Sequence, residues 1–213
     1  MPTEEVASRR IRSTTSPRVR SVILAAREKK CEGGKKPDVS VTKGLKDGDV
    51  LLKRSSGTPF NRIISGVSKS PHTHAAIYSK GNVYDIVKGG KGRTDTLEGF
   101  GTREKGITYD VFRPKEKEAA MEAARNVERI TDGTKGYSYA SLVQAGLRDR
   151  FGFGITTNYD KNYKICSELV YDCFNGRIGN DASSSVSPGR LATNRHLEKV
   201  DSLKLSLDEL RLT

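Results

Sequence analysis

Cys166 stands where a reactive thiol is easily placed. It follows a polar stretch, 158–164, and opens a segment whose apolar residues recur at helical spacing until Asn175 and Gly176 end it. This pattern predicts a buried helix with Cys166 in its first turn. The unpaired N–H groups and the positive dipole end of a helix N-terminus favour a thiolate, which is the nucleophilic form of cysteine. The alternative is that Cys166 is a small buried hydrophobe, as most cysteines are.

A histidine and an aspartate on one predicted hairpin could serve such a thiol. Two β-rich runs flank a turn at Lys80-Gly81, a pattern typical of an antiparallel hairpin. With these two residues as the turn, Ala76 pairs with Asp85, and His74 becomes a diagonal neighbour of Asp85 on the same face. The carboxylate can then orient the imidazole through one ring nitrogen while the other faces a nucleophile. A register slip of one residue would separate the two side chains.

A second histidine on the same strand raises the question of a metal site. His72 and His74 could form a zinc site with Cys166, but no CxxC and no further histidine lies nearby, so we expect no metal and no other cofactor. His72 is then expected at the mouth of the site as a polar neighbour. Cys173, two turns after Cys166, is expected in the core, and Glu168 is expected to support either the helix dipole or a cap.

The composition is that of one compact domain with appendages. The chain has 213 residues, of which 34% are hydrophobic and 30% charged, and this length can bury a core without crosslinks. Its three cysteines are an odd number without metal-type spacing, so we expect free thiols. No run is long enough for a membrane-spanning helix. Residues 1–20 lack a Sec signal, so we expect synthesis in the cytoplasm and any export by a dedicated system.

The charge of the chain is strongly positive. A formal net charge of +12 at pH 7 predicts nonspecific attraction to polyanions such as nucleic acid, anionic lipid or an acidic cell-wall polymer. Specific nucleic-acid binding is not expected. The sequence has no helix-turn-helix, RNP or finger pattern, and its basic residues are spread along the chain rather than interleaved with aromatic ones.

The elements that must position these residues follow in a simple order. Residues 1–44 have the composition of a basic, partly mobile N-terminal appendage, and residues 45–213 that of the folded domain. The predicted elements of the domain are a turn and strand at 47–52, a short helix at 62–67, the hairpin, a basic glycine-rich loop at 89–101, a strand at 106–112, a helix at 117–130, a helix beginning within 136–143, the Cys166 helix, a small-residue loop at 180–187 and a strand near 197–200.

Short motifs within these elements stand in an informative order. They are Gly48–Leu52, Thr73–Ile77, Val111–Arg113, Gly136–Tyr139, Cys166–Val170 and Ser187–Leu191. Together they resemble the circularly permuted NlpC/P60 group of papain-like cysteine hydrolases, in its YiiX/YebB-like branch. Ordinary papain-like enzymes place the cysteine helix before the histidine strand, whereas here His74 precedes Cys166, as in the permuted group. The resemblance covers about 47–200 and implies an α+β, permuted papain-like fold with an antiparallel sheet packed against helices.

The resemblance implies a role for each candidate residue. Cys166 would be the nucleophile, His74 the general base that activates it, and Asp85 the residue that orients His74, where the family more often has glutamate. The backbone N–H of Cys166 would contribute to an oxyanion hole. The neighbours of the substrate would be Tyr137, Tyr163 and His72.

The activity implied by the resemblance is thiol-dependent hydrolysis of an amide bond through an acyl-enzyme, most often in cell-wall (murein) peptides. The basic charge suits an anionic murein layer. The lack of a Sec signal suits an antibacterial effector delivered by a secretion machine or a phage, whose further partner would be an immunity (inhibitor) protein. Two alternatives stay open: a lipid acyltransferase or thioesterase of the lecithin:retinol acyltransferase type, which uses the same Cys and His, and a catalytically silent binding module.

Overall fold

The structure is a computed structural model that describes residues 44–55, 70–87, 89–152, 160, 162–179 and 186–205. The chain divides into two compact units, Met1–Pro37 and Asp38–Thr213, and the described residues all belong to the second. The predicted appendage before residue 44, the predicted helix at 62–67 and most of the predicted loop at 180–187 lie outside the described residues. The proposed domain boundary at residue 44 stays a prediction.

The sheet that carries the candidate site is antiparallel. The strands in chain order are β1 (Val50–Arg54), β2 (His72–Ser79), β3 (Asn82–Ile86), β4 (Gly92–Thr96), β5 (Thr108–Pro114), β6 (Gly136–Tyr137), β7 (Tyr163–Lys164) and β8 (Leu197–Lys204). Six of them form one sheet in the order β4-β3-β2-β1-β5-β8, and each neighbouring pair is antiparallel. The short strands β6 and β7 pair in parallel.

Helices are interspersed with these strands. They are α1 (Leu97–Arg103), α2 (Lys117–Gly133), α3 (Tyr139–Phe151), α4 (Cys166–Cys173) and α5 (Pro188–Ala192). The α+β class with an antiparallel sheet and packed helices is confirmed. Within the described part of the chain, no helix has the length and apolar character needed to cross a membrane.

The core lies on both faces of the sheet. On one face, Leu52 packs in a cluster with Ala123 of α2 and Leu169 of α4. On the other, Leu51 packs in a cluster with Phe100 of α1. Adjacent residues of β1 point to opposite faces because a strand is pleated. All five side chains are fully buried, and each leucine contributes about 2 kcal/mol through its burial.

The hairpin of β2 and β3 has the predicted register. Lys80 and Gly81 both have positive φ angles, 50° and 81°, as a two-residue type I′ turn requires. The strands pair Ile77 with Tyr84, which is the alignment that this turn predicts. The register prediction is therefore confirmed.

The segment 89–101 contains β4 and most of α1, so the prediction of a glycine-rich loop is wrong. β4 lacks apolar alternation because it lies at the edge of the sheet, and α1 contains two glycines. Tertiary packing overrides these weak propensities. Thr96 caps α1 by accepting a hydrogen bond from the N–H of Gly99 (3.1 Å), and Leu97 and Phe100 are buried against the sheet.

A smaller correction concerns the start of α3. Gly136 and Tyr137 form β6 rather than the first turn of the helix, which begins at Tyr139. Ser138 separates the two elements, and its hydroxyl accepts a hydrogen bond from the N–H of Ser141 (3.1 Å). This N-cap fixes the helix start after the short strand.

Candidate active site

Cys166 is the first residue of α4, and Ile165 is its N-cap. The Cys166 residue is 4% exposed. The Glu168 carboxylate accepts a hydrogen bond from the backbone N–H of Ile165 (2.9 Å), so the predicted cap is confirmed. The N–H of Cys166 has no acceptor within the helix, because the first four N–H groups of any α-helix lack one. The sulfur therefore lies at the electropositive end of α4.

His74 lies on β2 beside a local irregularity of the sheet. Lys53 of β1 pairs with His74, but the next residue, Arg54, pairs with His72, so the register shifts between them. A bulge of this kind changes the direction of nearby side chains, and bulges are common next to active sites. The His74 imidazole and the Cys166 side chain lie close enough to interact electrostatically. The structure thus brings together the two residues that the sequence placed 92 positions apart.

Asp85 contacts the imidazole of His74. Its Oδ2 lies 3.1 Å from Nε2 of His74, and its side chain is 1% exposed. An ionised carboxylate only accepts hydrogen bonds, so Nε2 carries a proton in this pair. The other ring nitrogen, Nδ1, is left for the sulfur of Cys166. The diagonal contact between β2 and β3 that the hairpin register predicted is present.

The electrostatics favour charged forms of both His74 and Asp85. Burial opposes ionisation of the imidazole, but the Cys166 thiolate and the Asp85 carboxylate outweigh it and raise the pKa of His74 to about 10. Burial likewise opposes ionisation of the carboxyl group, but the hydrogen bonds and charges of His74 and Arg93 lower the pKa of Asp85 to about 2. At neutral pH His74 is therefore an imidazolium and Asp85 a carboxylate.

Tyr137 packs against the core cluster that contains Cys166. Burial raises the pKa of Tyr137 above its usual range, and the nearby charge of Cys166 raises it further. The ring meets that of Tyr139 edge-on, with centroids 5.4 Å apart. Tyr163 is 45% exposed, and its ring lies so close to Gly136 that a side chain there would clash. The structure places Tyr137 against the core cluster that contains Cys166, and Tyr163 on the strand paired with that of Tyr137. A substrate contact of either residue stays a prediction.

His72 lies in a different network. It is buried; its Nε2 lies 2.9 Å from Oδ2 of Asp110, and its Nδ1 lies 3.3 Å from Oγ of Ser70. Asp110 also accepts hydrogen bonds from Arg54 (2.8 Å) and pairs with Lys199 (2.9 Å). Although burial opposes it, these partners hold the pKa of Asp110 well below its usual range. Both ring nitrogens of His72 thus have protein partners, Asp110 of β5 and Ser70 just before β2. Its role in substrate binding stays a prediction.

The second cysteine of α4 has a structural environment. Cys173 is fully buried, and its Sγ donates to the carbonyl of Leu169 (3.1 Å). Burial raises the pKa of Cys173 above its usual range, which disfavours the nucleophilic thiolate. The predictions that Cys173 lies in the core and that the described cysteines are free thiols are confirmed.

Two arginines that were not predicted from the sequence donate hydrogen bonds to Asp85. Arg93 donates from Nε to Oδ1 (3.0 Å) and from Nη2 to Oδ2 (2.9 Å). Arg103 donates from Nη2 to Oδ2 (3.1 Å). Both lie in or just after the segment that was predicted to be a loop. Only the pairing of β3 with β4, which sets Asp85 opposite Arg93, could have identified the first of them.

Candidate metal ligands are not clustered in the part of the chain that the structure describes. No group of three or more His, Cys, Asp or Glu side chains there is arranged to hold a metal ion.

Comparisons with known proteins show similarity at the level of structure. No family model matches the chain, and no curated protein matches it. Among solved structures, the chain is similar to the crystal structure of metalloprotein YiiX from Escherichia coli, DUF1105. The identity is 18% and the TM-score 0.45, and the match covers 75% of this chain and 98% of that chain.

Proposed function

We propose that this protein is a thiol-dependent hydrolase that cleaves amide bonds with Cys166, His74 and Asp85. The observation that carries the proposal is the contact between the His74 imidazole and the Asp85 carboxylate, close to a thiol that lies at a helix N-terminus. A nucleophile, a base and a group that orients the base are the minimum set for covalent catalysis of this kind.

The first half of the reaction forms an acyl-enzyme. The Cys166 thiolate attacks the amide carbonyl carbon, and the backbone N–H of Cys166 donates to the oxyanion that develops. Collapse of this intermediate breaks the C–N bond. His74 then gives the proton on Nδ1 to the leaving amine, which departs as a neutral molecule.

The second half releases the acyl group. His74, now neutral, takes a proton from a water molecule through Nδ1 while the water oxygen attacks the thioester carbonyl. The carboxylic acid leaves, and the thiolate and the imidazolium form again. Asp85 accepts a hydrogen bond from Nε2 throughout and keeps the ring in the same orientation and tautomer.

The proposed architecture is a permuted papain-like domain. The supporting features are the histidine hairpin that precedes the cysteine helix in the chain, the antiparallel sheet, and α4 packed against β2 and β3 in one core cluster. The proposed substrates are murein peptides. The net charge of +12 supports this class, because a basic protein accumulates on an anionic polymer.

The test uses the purified protein and the variant Cys166→Ala. Each is incubated with murein peptides and with phospholipids, and the products are identified by mass spectrometry. We expect new amine and carboxyl ends, with the mass of one water added per cleavage, only from the murein peptides and only with intact Cys166. The variant Cys173→Ala is the matched control and should retain the activity.

Other outcomes point elsewhere. Release or transfer of a fatty acyl chain from the phospholipids would replace the amidase with a lipid acyltransferase or thioesterase. No product from either substrate, together with ordinary reactivity of Cys166 toward alkylating agents, would favour a silent binding module.

A further inference from the structure

Asp85 receives more hydrogen bonds than a residue that only orients a histidine requires. His74 reaches it from β2, Arg93 from β4 and Arg103 from α1. Oδ2 accepts from all three side chains, and Oδ1 accepts from Nε of Arg93. Two carboxylate oxygens offer about four lone-pair sites, so these four contacts equal the accepting capacity of the group in number, with three of them on Oδ2.

The charged residues that contact Asp85 also form ion pairs with further charged residues. Asp95 pairs with both arginines, and Arg103 also lies 3.5 Å from Glu104. Glu104 in turn pairs with Lys53 (2.6 Å). Burial raises the pKa of Tyr109 on β5 above its usual range, so this side chain stays neutral. It also interacts electrostatically with Glu104, Asp85 and Arg103. The charged and titratable groups linked to Asp85, directly or through its partners, are therefore His74, Arg93, Asp95, Arg103, Glu104, Lys53 and Tyr109.

Two cations on one carboxylate have a predictable effect on the third partner. An arginine is charged at any working pH, so Arg93 and Arg103 keep Asp85 ionised. They also offset part of its negative charge, and this weakens the attraction that it exerts on the imidazolium of His74.

We propose that Arg93 and Arg103 are positioning residues that tune the Cys166–His74 pair through Asp85. The inference rests on the proposed function and adds a specific part to it. With both arginines present, Asp85 fixes the ring of His74 without making it so basic that it retains the proton needed by the leaving amine. Without one of them, the excess negative charge raises the pH at which both the thiol and the imidazolium lose their protons.

The test measures how the reactivity of Cys166 depends on pH. The rate of alkylation by iodoacetamide, followed at the Cys166 peptide by mass spectrometry, is recorded from pH 5 to pH 10 for the full chain. For Arg103→Gln and Arg93→Gln we expect the profile to move to higher pH by about half a unit to one unit. The high-pH limb of kcat on a cleaved peptide should move in the same direction.

Two comparisons separate charge from structure. Arg103→Lys keeps the charge and should return the profile close to that of the wild type. Arg125→Ala removes one exposed positive charge from α2, where Arg125 lies 3.9 Å from Glu122, and should leave the profile in place. In an Asp85→Asn background the Arg103→Gln shift should shrink, because the carboxylate that transmits it is gone.

The results distinguish this inference from the proposed function. If Cys166 of the wild type alkylates like an ordinary thiol and His74→Ala changes nothing, the proposed hydrolase is wrong. If wild-type Cys166 is activated but the arginine variants lose rate without moving the profile, the hydrolase stands and the inference is overturned. An equal shift in Arg125→Ala would also overturn it. Circular dichroism checks that each variant is folded. If a glutamine variant fails to fold, the pH profiles of Arg103→Lys and of Asp85→Asn test the inference instead.

Discussion

The imidazole of His74 stays charged at neutral pH because it interacts with the Asp85 carboxylate, 3.1 Å from its Nε2, and with Cys166. Burial alone would lower the pKa of His74, yet Cys166 and Asp85 raise it to about 10. The same proton thus stabilises the nucleophilic form of the sulfur and is ready for the leaving amine. This mutual dependence means that neither Cys166 nor His74 functions alone.

The first prediction follows from that dependence. Cys166→Ala and His74→Ala should each reduce kcat by at least about 10³-fold, and the double variant should be little worse than either, because the two residues act as a unit. The measurement is turnover of a murein peptide by all three variants. Additive losses in the double variant would show that the two residues act independently.

A matched change at the other cysteine of α4 serves as its control. Cys173→Ala removes a buried sulfur far from any proposed chemistry and should lower the free energy of unfolding by about 1 kcal/mol through a small cavity. Its kcat should match that of the wild type. Loss of activity in this variant without loss of folding would place Cys173 in the site.

A second prediction concerns acid stability. The pKa of Asp85 is about 2 in the folded protein against an ordinary value of 3.8. A carboxyl group whose folded pKa is lowered stabilises the fold above its unfolded pKa, and this contribution is lost as the pH falls through the folded pKa. The free energy of unfolding of the wild type should therefore exceed that of Asp85→Asn by about 2 kcal/mol at pH 6.

This difference should shrink as the pH is lowered from about 4 to about 2. Urea unfolding of both proteins at several pH values gives the comparison. Curves that stay parallel down to pH 2 would mean that Asp85 is not stabilised as a carboxylate.

At the scale of elements, β4 positions Arg93 beside Asp85, and α1 positions Arg103 there. β4 is held against α2 by close contact: the N–H of Gly92 donates to the carbonyl of Thr134 (3.1 Å). A Cβ at position 92 would lie 2.0 Å from the carbonyl oxygen of Thr131. Only glycine fits this approach, and it sets where the neighbouring Arg93 lies.

The third prediction tests that approach. Gly92→Ala should lower the free energy of unfolding by about 1–3 kcal/mol, because β4 must move away from α2 to relieve the overlap. Gly133→Ala is the control, since a Cβ there meets nothing within 4 Å. Thermal or urea unfolding measures both variants. Equal stability of the two would mean that β4 and α2 are not in close contact.

At the scale of the whole molecule, the described unit contains every part that the proposed chemistry needs. The six-stranded sheet, the helix of Cys166 and the two arginines all lie between residues 44 and 205. The basic residues are distributed along the entire chain. Truncation of residues 1–40 therefore leaves most of the basic residues and the whole of the proposed site in place.

The fourth prediction is that removal of residues 1–40 leaves turnover of a small peptide substrate largely unchanged. The reason is that the sheet and the three proposed catalytic residues remain. The measurement compares kcat and KM of the full and truncated chains, with circular dichroism as the check on folding. A truncated protein that is folded but inactive would place part of the site in the first 40 residues.

The sequence by itself determined the parts of the site that depend on local geometry. A two-residue turn at Lys80-Gly81 fixes the hairpin register, and the register places His74 diagonal to Asp85. Helical periodicity and the stop after Phe174 fix α4, and therefore the position of Cys166 at its N-terminus. Turn chemistry and periodicity operate over a few residues, so one chain can show them without a structure.

Tertiary structure decided the rest. No local signal identifies β4 as a strand or α1 as a helix, because β4 gains its structure from pairing with β3 and α1 from burial of Leu97 and Phe100. For the same reason the sequence could not connect Arg93 and Arg103 with Asp85, or His72 with Asp110. These are contacts between side chains distant in sequence, and their formation depends on how the sheet is assembled.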